Sequence, residues 1–335
     1  VAVALGSGGA RGYAHIGAIE VLDERGFEIV SIAGSSMGAL VGGLRAAHRL
    51  GEYTDWARSL TQLDLLRLLD PSLSAPGAIR AEKIFARVRE LLGGALIEDL
   101  DVPFTAVATD LLAGREVWFQ RGPVATAIRA SIAIPTIITP VMLNGRLLAD
   151  GGLMNPVPVS PTVSVLSDAT IAVSVSGDGG TAQDGTPAGE TSEERPADEW
   201  MGRFRRVAAR LVDYEMVRTL VARFGNDAND GDHDEAPEIA DEEFDALPQG
   251  LSKLDVMSQS LDAMQSVLTR YRLAGYPPDV LVAVPKHAAR SLEFHRAAEL
   301  IELGRTLTAD ALDRAGLAPI VATSEHDTQT PAAEP

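Results

Sequence analysis

Two apolar runs, each ending in a glycine-rich turn and leading into a helix-periodic segment, constrain the fold more than anything else in the chain. Val1-Ala2-Val3-Ala4-Leu5 is followed by Gly6-Ser7-Gly8-Gly9-Ala10-Arg11-Gly12. Residues 13–25 come next, with Ile16, Ile19 and Leu22 on one helical face and Gly26 as the stop. The run 29–33 reaches Gly34-Ser35-Ser36-Met37-Gly38 and opens a second helix over 37–50. Short, continuously apolar strands are buried on both faces, and the strand–helix–strand order sets them parallel. Further strands over 102–109, 115–119, 170–175 and 279–284 alternate with helices over 54–63, 80–92, 124–130 and 290–303. The expected class is α/β, a three-layer α/β/α sandwich with a largely parallel central sheet.

The turns carry the chemistry. In Gly34-x-Ser36-x-Gly38 the strand reverses into a helix so sharply that only glycine fits on either side of the serine. Such a turn holds Ser36 in strained backbone geometry, with its Oγ expected to stand exposed above the sheet near a helix N-terminus. Ser36 is the candidate nucleophile; a glycine-flanked serine in an ordinary turn is the plain alternative in a chain with 31 glycines. The first glycine-rich loop suggests a dinucleotide site, but Gly-x-Gly-x-x-Gly requires its third glycine where this chain has Arg11. No acidic residue closes the second strand, and the Gly-Lys-Ser/Thr of a phosphate-binding loop is missing. What remains is a run of backbone N–H groups suited to an anion that develops during a reaction, as in an oxyanion hole. A third turn, Asp150-Gly151-Gly152, ends the apolar strand 146–149 and precedes Asn155-Pro156-Val157-Pro158. Asp178-Gly179-Gly180 repeats the triplet, but it opens a polar stretch with nothing to bury, so Asp150 is the site candidate.

A nucleophilic serine needs a base. Of the six histidines, His15 lies beside apolar Ile16 and reads as packing, His48 sits near a helix end, and His233 and His326 fall in polar segments. His287 and His295 alone could complete a Ser–Asp–His order, and neither is in a glycine-rich strand-end loop. Asp150 is left as the base.

Composition excludes several classes. With no cysteine, disulfides, thiolate metal sites and cysteine nucleophiles are ruled out, which fits a reducing, cytoplasmic compartment. A net charge of −18 argues against nucleic acid. No apolar stretch has membrane-spanning length and no signal-peptide pattern opens the chain, which starts at Val1, so residues before it can be missing from the sequence. Residues 177–250 read as an acidic, low-complexity insertion carrying an amphipathic helix over 200–224. Trp200, Phe204, Ala208, Leu211 and Val221 share one face of that helix, and Arg203, Arg205, Arg206 and Arg210 make it basic. Packing as core or oligomer interface is the first reading; peripheral contact with an anionic bilayer is the second. Asp230-Gly231-Asp232-His233-Asp234 lacks the sixth-position glycine and twelfth-position glutamate of a calcium loop, so no metal site is assigned. After it, Leu254, Met257, Leu261, Met264, Leu268 and Tyr271 keep helical spacing, which predicts a core-facing helix with its methionines as packing. The expected organisation is a core over 1–176, the insertion over 177–250, completing elements over 251–322 and a disordered tail over 323–335.

Taken together these residues resemble the patatin-like phospholipases, lipid acyl hydrolases with a Ser–Asp dyad, and most closely the bacterial branch related to the catalytic domain of neuropathy target esterase. The resemblance rests on 5–12, on Gly34-Ser35-Ser36-Met37-Gly38, on Arg129-Ala130-Ser131-Ile132-Ala133-Ile134-Pro135, and on Asp150-Gly151-Gly152 with Asn155-Pro156-Val157-Pro158. It implies Ser36 as nucleophile and Asp150 as base. It also implies an oxyanion hole from Gly8, Gly9 and the backbone at Arg11, with Gly6, Gly12, Gly34, Gly38, Gly151 and Gly152 as motif glycines. No metal or organic cofactor is implied, and the substrate is a lipid or other ester. The resemblance says nothing of the insertion, and the oligomeric state stays open. A catalytically silent lipid-binding or regulatory scaffold on the same fold is the alternative function, and a nucleotide-dependent oxidoreductase a distant third.

Overall fold

The computed structural model describes residues 1–68, 77–79, 82–134, 136–177 and 253–318. In chain order the strands are β1 (Ala2–Leu5), β2 (Ser31–Ser35), β3 (Gly77–Ile79), β4 (Phe104–Asp110), β5 (Arg115–Phe119), β6 (Thr136–Ile138), β7 (Val141–Leu143), β8 (Arg146–Asp150), β9 (Thr170–Gly177) and β10 (Val280–Pro285). The helices are α1 (Ala14–Glu24), α2 (Met37–Ala46), α3 (Leu50–Ser59), α4 (Gln62–Leu68), α5 (Glu82–Leu92), α6 (Val124–Ser131), α7 (Lys253–Gly275) and α8 (Ala297–Ala315). The chain divides into two compact units, Val1–Thr181 with Ser258–Pro335, and Ala182–Met257. Nearly all of the second unit lies outside the described residues, as do Asp178, the rest of the acidic insertion after Gly177 with its expected 200–224 helix, His233 and calcium-like stretch, and His326 and the tail.

The first unit is built on a mixed sheet in the order β10-β9-β1-β2-β4-β8-β7, with β5 pairing β4 off that path. The five strands from β10 to β4 are mutually parallel, and β5, β8 and β7 join antiparallel. Alternation along the central strands decides the layers. Val3, Leu5, Ile32, Ile171, Val173 and Val282 point into the larger core, packed with Ile16 and Ile19 of α1, Leu40 and Leu44 of α2, and Leu300 and Ile301 of α8. Ala4 and Ala172 point the other way, against Val157 and Val159, with Leu273 of α7 packed beside them. The expected three-layer α/β/α architecture with a mostly parallel sheet is what forms.

Differences from the expected elements have local causes. The helix expected over 54–63 is two helices, because Thr61 caps α4: its Oγ1 accepts the Asp64 N–H at 3.2 Å while Asp64 Oδ2 accepts the Thr61 N–H at 3.1 Å. The helix expected from 290 starts at Ala297 and runs to Ala315, where Gly316 closes it at φ 61°. Helix α7 forms where its periodicity places it, but the core-facing expectation for its methionines is overturned. Met257, Met264 and Tyr271 are 45, 56 and 76 % exposed. The side turned inward carries Asp262, Gln265, Thr269 and Arg272; Asp262 and Arg272 bond to distant segments, and Thr269 Oγ1 donates to the Gln265 carbonyl one turn back.

Candidate active site

Strand β4 brings the site together. Its first half pairs with β2, ending at Ser35↔Val107, and its second half pairs with β8, starting at Ala108↔Asp150. β5 runs along Ala106–Asp110, overlapping both partners, so β2 and β8 share the opposite edge and meet there end to end. Because β2 is parallel to β4 and β8 antiparallel, both deliver their C-terminal residues to the same point. Ser36 follows one end and Asp150 closes the other.

The serine turn has the geometry that the glycine spacing demands. Ser36 has φ 55° and ψ −121°, a conformation that costs a side-chain-bearing residue about 1–3 kcal/mol. A Cβ on Gly34 would lie 2.3 Å from the Gly38 carbonyl, and one on Gly38 would lie 2.0 Å from the Leu5 carbonyl oxygen, so both glycines are required by close approach. The Ser36 N–H donates to Ser131 Oγ at 2.9 Å, and Ser131 Oγ–H donates to the Val107 carbonyl at 2.6 Å. That amide is therefore already committed within the fold. One expectation fails: Ser36 is not exposed above the sheet but 1 % exposed. The loop after β1 and the turn after β8 flank the elbow and touch each other through Ser7 and Asp150.

Asp150 is 2 % exposed. Its Oδ1 accepts the Gly152 N–H at 2.7 Å and the Ser7 hydroxyl at 3.2 Å. Its backbone is held too, the N–H by the Ala133 carbonyl and the carbonyl by Thr109 Oγ1. Burial raises its pKa from 3.8 to about 6, against the opposing pull of the Ser36 hydroxyl, the Gly152 amide and the Ser7 hydroxyl. Ser36 Oγ and Asp150 Oδ2 are each buried without a completed hydrogen bond. The serine thus lies near enough to bias the carboxyl but short of bonding geometry, the loose arrangement common in catalytic pairs before substrate binds.

In the loop after β1, the N–H groups of Gly6, Ser7 and Ala10 go to the carbonyls of Val173, Pro156 and Ser291. The N–H groups of Gly8 and Gly9 are taken by no backbone carbonyl among the described residues. Gly9 has φ +57°, and a Cβ there would meet the Ser291 carbonyl oxygen at 2.4 Å. Gly6 and Gly12 are buried in the same loop, and Gly151 and Gly152 in the Asp150 turn. The Arg11 side chain is buried and clamps the loop: Nη1 donates to the Lys286 carbonyl at 3.1 Å, and Nη2 to Asp262 Oδ1 on α7 at 3.0 Å. The Asp150 turn has its own brace. Arg272 of α7 donates to the Met154 carbonyl at 3.0 Å and to Glu116 at 3.2 Å, and Glu116 accepts Asn155 Nδ2 at 2.8 Å.

No histidine among the described residues bonds either group. His15 Nε2 lies 2.7 Å from the Gly6 carbonyl oxygen, and burial drops its pKa to about 4, so it is neutral and donates to that carbonyl. Its Nδ1 is buried without a partner. His48 is exposed beside Asp101, and His287 and His295 are exposed. The described residues contain no group of three acidic or histidine side chains that could hold a metal ion.

The profile of the patatin-like phospholipases matches residues 3–163. An uncharacterised NTE family protein of Mycobacterium tuberculosis (strain H37Rv) is 52 % identical over 335 residues, covering 93 % of this chain and 91 % of that protein. The chain belongs to the patatin-like phospholipase family. Patatin-like phospholipase domain-containing protein 6 of Homo sapiens is 30 % identical over 182 residues, 52 % of this chain and 13 % of that protein. The crystal structure of VipD from Legionella pneumophila aligns with 93 % of this chain and 66 % of that one at a TM-score of 0.40 and 14 % identity, too distant to inform the site.

Within this patatin-like domain the residues that sequence reasoning left without a role are Ser7, Ser131, Asn155, Glu116 and the polar face of α7. Ser131 and Asn155 stand in segments that the family resemblance had already singled out, which was a usable signal. Ser7 stands inside the glycine-rich loop, where a hydroxyl among glycines was the hint. For Glu116, Asp262 and Arg272 nothing local marks the role, because each acts on a loop more than 30 residues away.

Proposed function

We propose that this patatin-like protein is a serine hydrolase of lipid carboxylic esters, working through Ser36 and Asp150. The observation that carries the reading is the meeting of β2 and β8 on one edge of β4. It places a strained serine beside a buried carboxyl whose one free oxygen faces no other partner. Asp150 Oδ2 takes the hydroxyl proton as Ser36 Oγ bonds to the ester carbonyl carbon. The Gly8 and Gly9 amides, with the backbone at Arg11, receive the oxyanion that develops, each donor contributing about 3 kcal/mol in comparable sites. The tetrahedral intermediate collapses, the ester C–O bond breaks, and Asp150 returns the proton to the leaving alcohol. Water then attacks the acyl-enzyme with Asp150 again as base, and Ser36 is regenerated.

The raised pKa suits this role, since a carboxyl poised near 6 is a far better proton acceptor than one at 3.8 and is still ionised at neutral pH. The neutral, inward-bonded His15 supports a base other than histidine. We assign the catalytic core to 1–176, completed by 251–322 around the insertion at 177–250. No helix among the described residues is long and apolar enough to cross a membrane. The reaction is proposed to take place in the cytoplasm or at a membrane surface. The test is hydrolysis of a soluble p-nitrophenyl ester and a lysophospholipid. Ser36→Ala and Asp150→Asn should abolish both, whereas His48→Gln, His287→Gln and His295→Gln should retain most activity. A folded histidine variant as inactive as Ser36→Ala would replace the dyad with a triad.

A further inference from the structure

The two oxygens of Asp150 are not equivalent. Oδ1 is held by two donors, the Gly152 N–H at 2.7 Å and the Ser7 hydroxyl at 3.2 Å, while Oδ2 has none. The Gly152 bond comes from within the same turn and travels with the aspartate. Ser7 belongs to the other loop, after β1, and its N–H is anchored to the Pro156 carbonyl at 2.8 Å. Ser7 is 4 % exposed and in close contact with the turn, since a Cβ on Gly152 would lie 2.3 Å from Ser7 Oγ. The hydroxyl is therefore the side-chain bond linking the loop of the proposed oxyanion donors to the proposed base.

We infer that Ser7 is a positioning residue of the reaction, fixing Asp150 Oδ1 so that Oδ2 is presented to Ser36 in register with the Gly8 and Gly9 amides. A carboxylate held at one oxygen by a single turn amide can rotate about its Cβ–Cγ bond; a second donor from an independent element removes that freedom. The same hydroxyl favours the ionised carboxylate, because a donor to the charged form stabilises it. Among the described residues no other titratable side chain competes for this role. The neighbouring ion pairs are Arg11 with Asp262 and Arg272 with Glu116, both engaged in bracing loops, and His15 is bonded to Gly6. Burial, Ser36, Gly152 and Ser7 are the influences acting on Asp150.

This inference rests on the Ser36–Asp150 reading, and the test separates the two. The pH profile of kcat/KM on a soluble p-nitrophenyl ester is measured for wild type, Ser7→Ala, Ser7→Gly and Ser7→Thr, with thermal unfolding as the check on folding. Ser36→Ala and Asp150→Asn serve as controls. Removing one hydrogen bond to a charged group should move the acidic limb upward by about one pH unit and lower kcat/KM about fivefold near pH 6, approaching about tenfold at lower pH. The loss should fall on kcat rather than KM. Ser7→Thr keeps the hydroxyl and should keep the wild-type limb position, whatever the added methyl does to turnover. Ser7→Gly repeats the deletion in a glycine-tolerant loop if the alanine variant does not fold. An unmoved limb in a folded hydroxyl-less variant, or a limb that moves equally in Ser7→Thr, overturns the role of Ser7 while leaving the dyad intact. Activity surviving in Asp150→Asn overturns the dyad itself.

Discussion

Asp150→Asn should make the protein more stable at neutral pH while abolishing the chemistry. Burial drives the carboxyl pKa from 3.8 to about 6, a rise that the nearby Ser36 hydroxyl and the hydrogen bonds from Gly152 and Ser7 only partly offset. A folded-state pKa above the unfolded one means that the folded protein holds the proton more tightly. Asp150 therefore supports folding fully below about pH 4, and that support is lost as pH rises through about 6. The difference corresponds to about 3 kcal/mol above pH 7. Asparagine removes the charge, keeps an oxygen for the Gly152 N–H and the Ser7 hydroxyl, and can donate from the Oδ2 position to Ser36 Oγ, which has no partner now. Urea unfolding followed by circular dichroism, for wild type and variant across this pH range, measures the gap. It should favour the variant by about 2–3 kcal/mol near pH 7.5 and narrow steadily towards pH 4. A variant no more stable than wild type at neutral pH, or a gap independent of pH, would refute a carboxyl held against its own burial.

Three further outcomes are expected. Ser131→Ala leaves the Ser36 N–H buried without an acceptor, so it should lower stability by about 1–3 kcal/mol and slow turnover, read by urea unfolding and by kcat on a soluble ester. Gly38→Ala places a Cβ about 2.0 Å from the Leu5 carbonyl oxygen, a backbone atom that cannot swing aside, and should destabilise the fold by about 3 kcal/mol or more, with a matching drop in urea midpoint. EDTA should leave ester turnover unchanged; a loss restored by calcium would assign a metal role to the Asp-rich stretch 226–245.

The five parallel strands of the main sheet, the elbow and the Asp150 turn were legible because each is written in neighbouring residues, whereas the short β3, β6 and β7 were not read. An apolar run and a glycine pair mark Ser36, and an apolar strand end and two glycines mark Asp150. Their meeting was not legible from spacing, since it depends on β4 sharing one edge between a parallel partner 72 positions before it and an antiparallel partner 38–42 positions after it. The burial of Ser36 escaped for the same reason: the loops beside it are joined through Ser7 and Asp150, 143 positions apart. Helix α7 shows the limit most plainly. Its period could be read, but the inward face could not. Asp262 and Arg272 turn inward because Arg11, the Met154 carbonyl and Glu116 offer polar partners there, and Met257, Met264 and Tyr271 are left outside. Apolar spacing on a helix predicts its buried face only where the surface beneath is apolar too.

Covalent labelling with a fluorophosphonate ester, read by intact mass and peptide mapping, tests the proposed catalytic pair most directly. The wild-type protein should gain one adduct, carried by the peptide containing Ser36. Ser36→Ala should gain none, and Asp150→Asn should label at least about a hundredfold more slowly, as expected when a general base is removed. An adduct on any other residue, or undiminished labelling of folded Ser36→Ala, would contradict the assignment of the nucleophile. Labelling of Asp150→Asn at the wild-type rate would contradict the assignment of the base.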